Sequence, residues 1–252
     1  METAAVRRAV GDVLASIGFF TRFPVAGPPE RRLSDAVWAA PVAGALVGLV
    51  GFMAFASLDT LGLPRTIAAA GALAATMLAT GALHEDGLAD VADGFGGGAT
   101  AERKLEIMKD SRIGTYGVLA LLLGVLARWS AIMALPDLWS VCAALLAAHI
   151  ASRALLPIFM AHVPPARPGG LSAGAGPVET GPALVAIAIG AAALLPLGPA
   201  ALVMAGVLLA AWTLGWKVIC ESQIGGQTGD ALGALQQGGE LIVLLVALVL
   251  AA

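Results

Sequence analysis

Long apolar runs alternate with short polar ones along the chain, and the spacing of the charges sets out the elements. Residues 36–58 are 23 positions without a charge, and residues 66–83 are 18. At about 1.5 Å per residue each reaches across about 30 Å of hydrocarbon, the second only just. Residues 115–135 and 138–161 are apolar apart from Arg128, His149 and Arg153, and Pro136-Asp137 between them predicts the turn of a helical hairpin. Residues 180–216 are 37 positions without a charge, too long for one span, and Pro196-Leu-Gly-Pro199 divides them into two slightly short helices. Residues 241–252 are apolar but number only 12, which predicts either a partial span or one continued back into the Gly-rich loop before it. Ahead of these runs, Val6, Val10, Val13, Ile17 and Phe20 recur at helical spacing within residues 3–20, against Arg7, Arg8 and Asp12. That pattern predicts an amphipathic helix lying at a membrane surface. Asp12 and the lack of a small-residue cleavage pattern set it apart from a signal peptide.

Composition supports the same picture. Of 252 residues, 59% are hydrophobic and 12% charged, against about 45–50% and about 25% in an ordinary soluble domain, so a soluble globular enzyme is nearly excluded. With 32 Gly, 14 Pro and 5% aromatics, the apolar mass is Ala, Leu and Val punctuated by small residues, as in close-packed membrane helices. A membrane β-barrel needs alternating segments of about ten residues, which unbroken apolar runs contradict. The expected fold is all-α: a polytopic integral membrane protein with about six to seven transmembrane helices and an N-terminal interfacial amphipathic helix, forming one domain over residues 1–252. The net charge of −3 suits neither nucleic acid nor another strongly charged partner. Cys142 and Cys220, far apart and without metal-type spacing, read as buried thiols.

Following the alternation of spans, 11 of the 14 basic residues fall on one side, only Arg65 lies opposite, and Arg128 and Arg153 lie within spans. The positive-inside rule makes the crowded side cytoplasmic. The acids partition likewise, leaving only Asp59 and Asp137 on the far face.

Between His84 and Arg112, 29 residues carry 11 charges, seven acidic and four basic. Within that stretch Asp86, Asp90 and Asp93 stand at i, i+4 and i+7, which on a helix places them within about 60° of one another. Three stacked carboxylates repel unless a cation neutralises them. Oxygen ligands suit Mg²⁺, Mn²⁺ or Ca²⁺, and the lack of Cys or a second nearby His argues against zinc. Glu85 could join from the flank, whereas His84 points away and reads as an interfacial or structural histidine rather than a ligand. Such a face holds a diphosphate through the ion, provided cations and amides are close by. Lys109-Asp-Ser-Arg-Ile-Gly-Thr-Tyr-Gly117 supplies them ahead of a helix, making Lys109, Ser111, Arg112, Thr115 and Tyr116 candidate phosphate or substrate contacts. Gly94-Phe-Gly-Gly-Gly98 reads as a turn or flexible loop. In Gly225-Gly-Gln-Thr-Gly-Asp-Ala-Leu-Gly-Ala234, Asp230 is a further metal oxygen and Thr228 a phosphate or hydroxyl contact, or either residue is a helix cap. Arg22 reaches an anion or lipid headgroups. Arg128 and Arg153 are functional, paired or snorkelling.

The run Leu83-His-Glu-Asp-Gly-Leu-Ala-Asp-Val-Ala-Asp-Gly-Phe-Gly-Gly-Gly98, followed by Glu106-Ile-Met-Lys-Asp-Ser-Arg-Ile-Gly-Thr-Tyr-Gly117, strongly resembles the cobalamin synthase family. Phe20-Thr-Arg-Phe-Pro24 and the 225–234 stretch fit it too, in the family's order, and no charged position of the central block departs from it. The resemblance implies a ribazoletransferase domain over the whole chain, in the bacterial inner (cytoplasmic) membrane with the site facing the cytoplasm. It would join adenosylcobinamide-GDP to α-ribazole or its 5′-phosphate, release GMP and require Mg²⁺. Its partners would be those two substrates and the bilayer, with a homo-oligomer or association with other nucleotide-loop assembly enzymes left open. In that setting Glu85, Asp86, Asp90, Asp93 and Asp230 would hold the metal, Lys109 and Arg112 would offset transition-state charge, and Asp93, last on the acidic face, would take the nucleophile's proton. Two other classes compete. A CDP-alcohol phosphatidyltransferase-like enzyme also uses spaced aspartates, but this chain lacks the Ala-Arg step after the first Asp-Gly pair. A secondary transporter would account for Arg128 and Arg153 and the Pro-broken helices, yet the acids cluster at one interface and the halves show no repeat.

Overall fold

The computed structural model describes residues 2–25, 27–28, 31–168, 170 and 174–251. Among them every regular element is helical, and the one exception to helix and loop is an isolated bridge between Pro165 and Gln227. In chain order the main helices are α1 (Glu2–Phe20), α2 (Ala40–Thr60), α3 (Arg65–Thr80), α4 (Leu83–Gly97), α5 (Ala101–Ile107), α6 (Thr115–Ala134), α7 (Leu138–His162), α8 (Thr180–Leu194), α9 (Pro199–Ile224) and α10 (Gly229–Ala251). Six helical stretches among the described residues are long and apolar enough to cross a membrane, and α3 with α4, bent by 90° at their junction, forms a broken span or a re-entrant pair. The protein is therefore a polytopic all-α membrane protein.

α7 is the axle. Most of its length is buried, and α2, α8 and α10 surround it. Close approach comes from small residues. A Cβ at Gly44 would run into the backbone carbonyl of His149, and one at Gly48 would lie 2.9 Å from the carbonyl oxygen of Leu145. In lipid no hydrophobic force drives helices together, so close backbone packing has to do it. The outer surface is correspondingly greasy: Leu119, Leu122, Leu123 and Leu126 on α6, and Val203, Val207, Leu214 and Val218 on α9, are all exposed. At the end of the bundle away from the acids, Arg65 donates to the carbonyl of Pro136 at 2.9 Å, which places that arginine beside the α6–α7 turn.

Three sequence expectations change and one open choice is resolved. The span over residues 66–83 ends at Thr80, about 24 Å of helix, because Gly81 (φ 65°) and Ala82 (φ 56°) both adopt the left-handed conformation and turn the chain into α4. α9 is 26 residues long rather than slightly short. The last helix takes the longer of its two readings, beginning at Gly229 and running 23 residues. The Gly94–Gly98 run is helical through Gly97 rather than a loop: Gly94 and Gly98 receive Met108 and Lys104, and Gly96 lies under the ring of Tyr116. The first helix forms as expected, but its Asp12 is buried, accepting from Arg31 Nε at 2.7 Å and Trp38 Nε1 at 3.1 Å. Val6 and Val10 stay exposed while Ile17 and Phe20 pack inward. Both cysteines are free, Cys220 buried and Cys142 only half-buried.

Candidate active site

The register of α4 decides what each acid meets. Glu85 and Asp86 are neighbours in sequence but stand about 100° apart around the helix. Glu85 turns into the bundle, where its Oε1 accepts from Arg128 Nη1 at 3.0 Å and Gln237 Nε2 at 3.3 Å. Asp86 is exposed, on the wall of a cleft. Asp90, half-buried, lies within electrostatic reach of Asp86, Asp93 and Asp230. These four aspartates form one negatively charged surface shared by α4 and the start of α10.

Glycine makes that surface. A Cβ on Gly87 would stand 2.9 Å from both the Cα and the carbonyl oxygen of Asp230, and one on Gly233 would stand 3.1 Å from the carbonyl oxygen of His84. α4 and α10 thus cross backbone to backbone, and the first and last polar motifs of the sequence meet. Thr228 caps α10, its Oγ1 accepting from the amide of Ala231 at 3.1 Å. Of its two sequence readings, the cap is the one built.

Opposite, residues 164–166 pair with Gln227: the amide of Gln227 donates to Pro164 and that of Ala166 to Gln227, both at 2.8 Å. This pairing brings in a cation absent from the sequence-based site, Arg167, whose Nη2 lies 3.9 Å from Asp230 Oδ2 while its Nη1 donates to the carbonyl of Leu105 at 3.2 Å. Asp230 Oδ2 is buried and has no hydrogen-bond partner among the described residues. Nothing local in the sequence marks Arg167, since the loop that carries it is Pro/Gly-rich and otherwise unremarked.

Asp93 has a different task from its neighbours. Its Oδ2 accepts from the amide of Gly114 at 2.7 Å and its Oδ1 from that of Gly117 at 2.8 Å. It holds the N-terminus of α6 against α4, satisfying two amides that the helix itself leaves unpaired. Each oxygen thus carries one amide hydrogen bond, which gives Asp93 a positioning task beside the proton-accepting one expected from the sequence. The loop it anchors stands open to solvent: Lys109, Ser111, Arg112, Thr115 and Tyr116 are all exposed. Arg112 turns back on Asp110, Nη2 to Oδ2 at 2.7 Å. The Arg112 guanidinium holds the Asp110 carboxyl down at about 2. The structure therefore does not bring Lys109 and Arg112 against the aspartates. Arg22 sits at the α3–α4 hinge instead, its amide donating to the carbonyl of Ala79 at 2.7 Å and its guanidinium lying over Gly81.

Behind the acids runs a buried polar network that the sequence only hinted at. Arg128 Nη1 bridges Glu85 and Glu240 at 3.0 and 3.1 Å. Glu240 also meets His149 Nδ1 at 3.2 Å and accepts from Gln236 Nε2 at 2.7 Å, and Gln236 donates to Ser152 Oγ at 3.0 Å. Arg153 reaches His149 Nδ1 at 3.1 Å and His84 Nδ1 at 3.5 Å. Glu85 is thus a strut rather than a metal flank, and Arg128 and Arg153 are paired inside the bundle. Glu240, assigned by charge counting to the polar side, is buried halfway along α10. The signal that could have found it is Gln236, Gln237 and Glu240 on one face of an otherwise apolar helix, where polar side chains need partners.

Among the described residues no three His, Cys, Asp or Glu side chains already stand at metal-ligand spacing. The donor set available, Asp86, Asp90 and Asp230, consists of hard carboxylate oxygens, and the unpartnered Oδ2 of Asp230 is what a bound cation would complete.

Fold and site define a class: a polytopic helical membrane protein with an acid-lined cleft at one end of its bundle. The chain belongs to the cobalamin-5-phosphate synthase family, whose model matches residues 12–248. That membership makes it a transferase of cobalamin synthesis, as the sequence resemblance implies. A protein of Mesorhizobium japonicum named adenosylcobinamide-GDP ribazoletransferase is 52% identical, with 97% of this chain and 95% of the relative covered. Proteins of the same name from Bradyrhizobium diazoefficiens and Ralstonia nicotianae are 50% and 40% identical, each over 97% of this chain and over 96% and 97% of their own lengths. No solved structure matches.

Proposed function

We propose that this chain joins adenosylcobinamide-GDP to α-ribazole or its 5′-phosphate and releases GMP, at the cytoplasmic face of the bacterial inner membrane and with Mg²⁺. The observation that carries the reading is the glycine crossing of α4 and α10, which sets Asp86 and Asp230 on one cleft with Asp90 within electrostatic reach of both. The reaction is attack by a ribazole hydroxyl on the phosphorus that bears the corrinoid arm, with GMP leaving. Asp86, Asp90 and Asp230 would hold Mg²⁺, which supplies charge neutralisation on the diphosphate when bound. Arg167, beside Asp230, is placed to meet a phosphate oxygen there, and Lys109 and Arg112 stand on the solvent-facing loop where the GDP end of so large a substrate has room. Asp86 is exposed and lines the cleft, and would take the proton of the attacking hydroxyl, whereas Asp93 is engaged with the amides of Gly114 and Gly117. The excess of basic residues at this end of the bundle supports a cytoplasmic orientation.

The test is GMP release by the purified protein in lipid nanodiscs, supplied with adenosylcobinamide-GDP, α-ribazole and Mg²⁺. Asp86→Ala and Asp230→Ala should each abolish Mg²⁺-dependent release while the protein remains folded. Retained Mg²⁺-dependent release in either variant would refute the assignment, and CMP release from CDP-diacylglycerol would move the chain to the phosphatidyltransferase class.

A further inference from the structure

Beneath Asp86 and Asp230 a cleft of about 750 Å³, counting its open mouth, runs between the end of α1, the start of α4, α7 and α10. Phe19, Phe20, Val37, Leu156, Met160 and Leu232 form its walls, which carry no Lys or Arg, so they suit neither a phosphate nor a diphosphate. Its polar side chains are few: the exposed Asp86, the half-buried Asp230 and the buried His84. His84 is 3% exposed and stacks on Phe20, ring centroids 6.0 Å apart and planes 9° from parallel. Its Nδ1 faces Arg153 Nη2 at 3.5 Å. A guanidinium has no lone pair to offer, so Nδ1 is the acceptor and the ring hydrogen resides on Nε2. Nε2 is buried and has no hydrogen-bond partner among the described residues. A buried donor left in that state costs free energy unless a ligand completes it.

We propose that this cleft seats the flat aromatic base of the attacking nucleoside, with His84 Nε2 donating to the base's acceptor ring nitrogen. The assignment rests on the transferase reading above and adds the seat of its nucleophile. A benzimidazole is apolar over both faces and offers one acceptor nitrogen, matching one unpartnered donor in apolar walls. Guanine would bury several polar edge atoms against hydrocarbon, which is costly, and a corrinoid macrocycle is far too large. With the base in the cleft, its ribose emerges at the mouth, where Asp86 and Asp230 stand.

The experiment compares α-ribazole with the isosteric nucleoside whose base is a dimethylindole, carrying a C–H in place of the acceptor nitrogen. In nanodiscs, wild-type protein should show a KM about tenfold higher for the indole nucleoside, the size of one hydrogen bond whose buried donor is left unpaired. His84→Ala should raise the KM for α-ribazole by a similar factor, leave the two nucleosides equal, and leave the KM for corrinoid-GDP unchanged. Met160→Trp, which fills the cleft from its wall, should weaken both nucleosides and again spare corrinoid-GDP. Equal use of the two nucleosides by wild type, an undiminished preference for α-ribazole in His84→Ala, or an unchanged nucleoside KM in Met160→Trp would each overturn the proposal. Should wild type release no GMP at all, the transferase reading fails on its own. Calorimetric binding of the two nucleosides to wild type and Met160→Trp then decides the cleft separately.

Discussion

Replacing Gly87 by Ala adds one methyl group at the point where α4 and α10 touch. The new Cβ would lie 2.9 Å from the Cα and the carbonyl oxygen of Asp230, whereas ordinary contact begins at 3.4 Å. Both obstructing atoms are backbone, so no side chain can rotate away, and the helices have to part by about half an ångström. Overpacking of this kind costs about 1–3 kcal/mol. The dispersed polar network and the glycine contact at Gly233 keep the bundle together at that cost. Catalysis suffers more than stability, because Asp86 and Asp90 ride on one helix and Asp230 on the other. A misplacement of about 1 Å between reacting groups can lower a rate about 100-fold. Gly87→Ala should therefore lower GMP release by about 10-fold to 100-fold in nanodiscs, while its thermal unfolding midpoint falls only modestly and its size-exclusion profile is unchanged. Gly124→Ala is the matched control, since its Cβ meets nothing nearer than Leu88 Cδ2 at 3.7 Å, and it should keep wild-type turnover. Wild-type turnover in Gly87→Ala would show that the spacing of the two helices does not set the site.

Arg128→Met leaves Glu85 and Glu240 buried together without their shared cation, and should destabilise the folded protein by about 3–5 kcal/mol, read by thermal unfolding in detergent. Asp93→Asn turns one of two acceptors into a donor facing an amide; loss of about 1–2 kcal/mol and faster amide exchange at Gly114 and Gly117 are expected, with the pH profile of GMP release unchanged. A shifted profile would instead make Asp93 the base. Asp110, with its carboxyl lowered to about 2, keeps its pairing with Arg112 above its unfolded value and loses it only as pH falls through about 2, so Asp110→Asn should leave the activity profile unaltered from about pH 4 to 8. Because that pair is fully exposed, stability should not register the change.

Much of the fold was legible because hydropathy is a local property: an apolar run long enough to cross a membrane does so whatever its neighbours. The cluster of Asp86, Asp90 and Asp93 was legible for the same reason, since helical spacing alone puts them on one face. The α3–α4 bend was not, because it needs Ala82 as well as Gly81 in the left-handed conformation, which an alanine's own preference disfavours. Nor was the division of labour among the acids. Glu85 and Asp86 are alike in chemistry and adjacent, yet one meets Arg128 inside the bundle and the other lines the cleft.

The sequence by itself determined a helical membrane protein, its polar end and a set of candidate carboxylates, since each follows from composition and period within a single segment. Only the tertiary structure decided which carboxylates remain available. Asp93 was taken by the amides of α6, Glu85 and Glu240 by Arg128, and Asp230 was brought from 140 residues away from Asp90 to complete the set. The physical reason is that a charge in a low-dielectric bundle is fixed by the partner it finds, and partners across helices are set by where glycine lets two backbones touch.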